Sequence, residues 1–140
     1  MRLPAAMALA LAALCAAGCA SARNNPAGSI RIYALKYGES AYRANLVNTL
    51  SSDRLVRFNW LFYLVESGNP PHYTLIDTGF ENEKLRSRFG LKNFRTAAEL
   101  LSFAGVKPEQ IRRVILTHSH FDHAESVTQF KNSEICLRAE

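Results

Sequence analysis

Hydrophobic and polar positions divide the chain into three stretches. Leu3 to Ala20 carries no charge and is mostly Ala and Leu. Arg23-Asn24-Asn25-Pro26-Ala27-Gly28-Ser29 is polar and rich in turn formers, the composition of a tether. From Ile30 onward, short apolar runs alternate with turn signals, as in a folded domain. Ile30 to Leu35 alternates in part and predicts a first strand. Tyr37 to Arg57 is irregular. Gly38-Glu39-Ser40 reads as a turn and Ser51-Ser52-Asp53 offers turn or capping chemistry, so a loop with at most a short helix is expected. Trp60 to Glu66 is nearly all apolar and aromatic. It predicts a strand buried on both faces, or the strongest strand of a sheet packed against helices.

Ser67-Gly68-Asn69-Pro70-Pro71 is a turn that no helix can cross. His72 to Ile76 then returns as the partner strand of a hairpin and delivers Asp77. His72 stands alone beside the turn and reads as a surface residue. Glu81 to Phe89 predicts a short helix stopped by Gly90. Thr96-Ala97-Ala98-Glu99 is a capping-box pattern, followed at helical spacing by Leu100, Leu101 and Phe103, with Gly105 as the stop. Lys107-Pro108-Glu109-Gln110 predicts a single turn with proline at its start. Arg112 to Leu116 predicts a buried strand, Phe130 to Ser133 a turn, and Ile135-Cys136-Leu137 a last strand. The order strand, helix, strand gives an α/β layered arrangement. Cys136 fits a small buried hydrophobe there.

The densest chemistry follows the Arg112–Leu116 strand. Three of the four histidines fall within Thr117-His118-Ser119-His120-Phe121-Asp122-His123. In an extended segment, residues two apart share a side, so His118 and His120 can grip one cation while Ser119 acts as spacer. Asp122 and His123 come where the chain must turn; they can face a second cation or close the shell of the first. Imidazoles and a carboxylate suit Zn²⁺, and iron or manganese can occupy such a set as well. Helical structure can resume at Ala124-Glu125-Ser126-Val127. Asp77, in Asp77-Thr78-Gly79 at a strand end, fits plain turn chemistry on its own.

The 140 residues suffice for one domain. The composition is globular, at 48% hydrophobic and 21% charged. Net charge is +5, but the basic residues are dispersed, with no block and no interleaved aromatics. A nucleic-acid partner therefore has little support, and a solvated basic face is the preferred reading over attraction to an anionic membrane. Met1-Arg2, the apolar run and small residues at its end predict an export signal over residues 1–18, with a tether over 19–29. Ala16-Ala17-Gly18-Cys19 resembles a bacterial lipoprotein cleavage box, although Ala16 stands where Leu is usual. The resemblance implies lipidation at Cys19 and a periplasmic or membrane-anchored protein. An ordinary signal peptide is the other reading.

His-x-His-x-Asp-His after a buried strand resembles the metallo-β-lactamase-fold hydrolases, and Leu75-Ile76-Asp77-Thr78-Gly79-Phe80 matches their second landmark. The resemblance runs from Ile30 to Glu140. It implies a four-layer αββα sandwich of which residues 30–140 form the N-terminal half, so the chain is expected to be a truncated piece, inactive alone, with one sheet face exposed. It also implies two Zn²⁺ ions, His118 and His120 on the first, Asp122 and His123 on the second. Asp77 supports the ligands, and Asp122 passes a proton to the leaving group. Further ligands would lie beyond residue 140.

Tyr37-Gly38, the Asp-Thr-Gly segment and Gly105-Val106-Lys107-Pro108-Glu109 look most like the N-acyl homoserine lactonase group. That likeness implies a small-molecule lactone opened by metal-activated water. Tyr42, Asn45 and Leu46 would then border the cleft. A β-lactam, ester or thioester hydrolase is the alternative within the fold. A non-catalytic exported lipoprotein with an incomplete metal site is the alternative outside enzymes.

Overall fold

A computed structural model describes residues 28–137. The signal, Cys19 and most of the tether lie outside them. Among the described residues, no helix is long and apolar enough to cross a membrane.

Five strands form one sheet in the order β1-β2-β3-β4-β5. β1 (Ile30–Arg43), β2 (Leu55–Ser67) and β3 (His72–Ile76) run antiparallel in turn. β4 (Ile111–Leu116) lies parallel to β3, and β5 (Glu134–Leu137) parallel to β4. The hairpin β2–β3 was predicted at that turn. Each parallel pair needs a crossover: α2 (Glu83–Arg88) and α3 (Ala97–Phe103) lie between β3 and β4, and α4 (Phe121–Ala124) lies between β4 and β5. Asn82 caps α2 by accepting from Leu85 N–H at 3.2 Å. Thr96 and Glu99 form the expected reciprocal box at α3. Gly90 and Gly105, with φ of 59° and 72°, end the two helices.

The core lies between the sheet and this crossover. Phe62, Leu64, Leu75 and Val114 pack with Leu100 and Leu101 of α3 and with Phe80 and Phe130. Burying each such side chain contributes about 1.5–3 kcal/mol. Among the described residues this makes two layers, a mixed sheet with helices on one side.

Three expectations need correction. Gly38-Glu39-Ser40 is not a turn, and Tyr37–Arg57 is not a loop. β1 continues to Arg43, α1 (Ala44–Val47) follows, and β2 starts at Leu55. The register shifts between Lys36 and Gly38, so the strand absorbs the glycine as an irregularity. A Cβ at Gly38 would come within 3.1 Å of the Leu91 side chain, so a larger residue there would have to displace Leu91 by a few tenths of an ångström. Second, of the two readings of β2, burial on both faces is wrong and packing of one face against helices is right. Trp60, Phe62 and Leu64 are covered while Leu61 and Tyr63 stay more than a third exposed. Third, Cys136 is half-buried, because β5 is an edge strand.

Candidate metal centre

β3 and β4 are parallel, so their carboxyl ends lie side by side and deliver Asp77 and Thr117 to one place. Asp77 leaves the strand with φ of 62°. Aspartate tolerates this left-handed conformation better than most residues. Its N–H still donates to Ile115 O at 2.9 Å, so the turn swings the carboxylate without losing the ladder bond.

The Asp77 carboxylate is buried, at 6% exposure, and fully engaged. Oδ1 accepts from Thr117 N–H at 2.8 Å. The Thr117 hydroxyl lies 3.0 and 2.9 Å from the two oxygens. His123 Nδ1 is 2.8 Å from Oδ2. An unpaired buried carboxylate would be costly, and these contacts remove that cost by tying β3 to both ends of the histidine loop. Thr78 adds a second tie: its N–H and its hydroxyl both donate to His123 O, at 2.8 and 3.0 Å.

Helix α4 (Phe121–Ala124) then turns Asp122 and His123 back toward His118 and His120. Tyr37 braces it, donating from its hydroxyl to Asp122 O at 3.2 Å. Burial first, then the Asp122 and Asp77 carboxylates, hold the Tyr37 phenol well above the usual tyrosine range, so it remains a donor. Phe121 stacks on Phe89 at 5.3 Å and meets Phe80 edge-on at 5.1 Å, which joins the helix to the core.

All four expected donors come together. The His118 and His123 rings are 4.0 Å apart, and His118 and His120 4.6 Å. His118 Nε2 lies 3.1 Å from His120 Nδ1, and His123 Nε2 lies 3.2 Å from Asp122 Oδ2. Ligands about 2.0–2.1 Å from a tetrahedral zinc are about 3.3 Å from one another. Both pairs are close to that spacing, so nitrogen and oxygen donors of the right kind stand at separations a cation can bridge. Among the described residues, no three His, Cys, Asp or Glu side chains close around a single point. The fit is thus to two half-shells. His118 and His120 are exposed, and Asp122 and His123 half-buried, so the donors are open to solvent. His72 is exposed on β3 at the opposite end from Asp77.

Thr117, Thr78 and Tyr37 carry no role in the sequence reading. Only the adjacency of the first two to the motifs could have drawn attention to them. Tyr37 enters only through the Tyr37-Gly38 likeness, and nothing local foretells its contact with Asp122, 85 residues on. A cleft of about 300 Å³ lies between β1 and β2, lined by residues including Ser40, Val56 and Arg57, and no histidine lines it.

The sequence profile of the Metallo-beta-lactamase superfamily matches residues 61–136, which include both motifs. A search of curated protein sequences returns no significant match. Among solved structures, a probable metal-dependent hydrolase from Staphylococcus aureus is 22% identical with a TM-score of 0.62. The alignment covers 79% of this chain and 47% of that one. An N-acyl homoserine lactone hydrolase, with the product N-hexanoyl-L-homoserine at its catalytic metal centre, is 24% identical with a TM-score of 0.61. Its alignment covers 79% of this chain and 48% of that one. A dizinc quorum-quenching lactonase in complex with a product is 19% identical with a TM-score of 0.52, over 79% of this chain and 42% of that one. The chain spans about half the length of the solved structures it matches. Likeness at this level of identity speaks for the fold.

Proposed function

The chain belongs to the Metallo-beta-lactamase superfamily, and on that premise we propose that the whole protein is a metal-dependent hydrolase that opens a lactone ring with water. The observation that carries this reading is the paired arrangement of donors at the ends of β3 and β4. His118 Nε2 and His120 Nδ1 would hold one cation. Asp122 and His123 Nε2 would hold a second. Zinc suits this donor set, and iron or manganese is chemically compatible. The chemistry supplied by a divalent cation bound by these residues would be a water activated at neutral pH and a polarised scissile carbonyl.

The protein's own residues do the rest. Asp77 accepts from His123 Nδ1–H and so aims Nε2 outward. Tyr37 and Thr78 fix the backbone of Asp122 and His123. As the ring C–O bond breaks, the Asp122 carboxylate would hand to the leaving oxygen the proton it has taken from the attacking water. The substrate class is supported by the lactone products bound in two of the matched structures. Export and lipid anchoring at Cys19 belong to the same proposal and rest on the pattern of Leu3–Ala20. Loss of membrane association in Cys19→Ser checks that part.

Ring opening of an N-acyl homoserine lactone by the whole protein tests the reading. His118→Ala and His120→Ala are expected to reduce kcat/KM by at least a hundredfold. Unchanged activity in both would refute their role. Faster turnover of a β-lactam or thioester would move the substrate within the same chemistry.

A further inference from the structure

Through its hydroxyl, Thr117 touches Asp77 and two of the candidate ligands, His118 and His123. Its hydroxyl oxygen lies within 3.0 Å of both Asp77 oxygens, 3.1 Å from His118 Nδ1 and 3.3 Å from His123 Nδ1. A hydroxyl has one hydrogen and two lone pairs. Asp77, as a carboxylate, can only accept, so the Thr117 hydrogen goes to it. The same oxygen is then limited to accepting from the imidazoles. His123 Nδ1 already has the shorter contact, 2.8 Å, to Asp77 Oδ2. His118 Nδ1 has no other partner of this kind among the described residues.

We propose that Thr117 is a positioning residue that sets the tautomer of His118: Oγ1 accepts from Nδ1–H and leaves Nε2 bare toward His120 Nδ1. The Asp77–Thr117–His118 chain is a relay of orientation. The buried carboxylate orients the hydroxyl, and the hydroxyl orients the ring. One carboxylate thereby fixes two histidines, His123 directly and His118 through Thr117. Neither ring then spends its ligating nitrogen on a hydrogen. Partners of this kind are worth roughly ten- to a hundredfold in metal affinity. The purpose of the relay rests on the hydrolase reading, but its existence is a property of the metal-free chain.

Nitrogen-15 NMR of the whole protein, metal-free and at a pH where the imidazoles are neutral, tests it directly. Wild type is expected to hold His118 mainly as the Nδ1–H tautomer. Thr117→Val, which keeps the shape and removes the hydroxyl, is expected to lose that preference and to weaken zinc binding at least tenfold. Thr117→Ser restores both. A wild-type His118 found mainly as Nε2–H overturns the proposal, whatever becomes of the valine variant. An unchanged tautomer in a folded Thr117→Val protein overturns it too. Absence of zinc binding in wild type would strike at the hydrolase reading instead, and the tautomer measurement would still decide this one.

Discussion

Phe62 and Tyr63 are neighbours in β2 with opposite surroundings. Phe62 is 1% exposed against the crossover helices, while Tyr63 is 38% exposed on the other face. The contrast holds across the sheet. Tyr63 pairs with Ala34 and Ile76, Ile76 with Ile115, and Ile115 with Cys136, so an apolar row runs across all five strands. No described element covers it. The covered face adds something the open face lacks, namely buried polar groups with defined partners: Ser40 to Trp60, Asp77 to Thr117 and His123, Thr78 to His123. Apolar character alone does not distinguish the two faces. Polar pinning does, and it is concentrated where the candidate centre sits.

The largest expected effect lies in the core of the covered face. Phe62→Ala is expected to cost about 3–5 kcal/mol in urea unfolding, and its neighbour Leu61→Ala about 1 kcal/mol or less. Equal costs would erase the distinction between faces. Next is the pin itself. Asp77→Asn places an N–H₂ group against donors and is expected to cost about 1–3 kcal/mol, with disorder of the 117–123 loop by NMR. A variant as stable as wild type would mean the carboxylate holds nothing.

Tyr37 gives a pH signature. Its folded pKa is raised, so its contribution is fully present below the unfolded value of 10.0 and is lost as pH rises above it. Unfolding measured from pH 8 to 11 should show stability falling by at most about 1.4 kcal/mol per pH unit from this group. Tyr37→Phe should flatten that fall. The smallest effect belongs to the helix that covers the core: Thr96→Ala should cost about 1 kcal/mol through the lost cap. No change there would show α3 to be held by packing alone.

Features written in contiguous residues were legible. The Thr96–Glu99 box, the glycine stops, the β2–β3 turn and the two motifs each need only a few neighbours to be recognised. What was missed depends on distant contacts. Gly38 carries the chemistry of a turn, yet pairing with Trp60 and packing against Leu91 keep it in a strand. The β2 run is apolar on both faces, so periodicity could not say which face this chain covers. Thr117 was printed beside the histidines, but its contact with Asp77 spans 40 residues and exists only once β3 and β4 lie parallel.

Hydrolysis by this protein requires that the donor pairs be cation sites. Metal analysis of the purified whole protein, compared with its His118→Ala/His123→Ala double variant, tests that most directly. The expected result is bound zinc in the wild-type protein, about two ions per chain if both pairs are occupied, and its loss in the variant. A wild-type protein that is folded and holds no metal after incubation with excess zinc would contradict it.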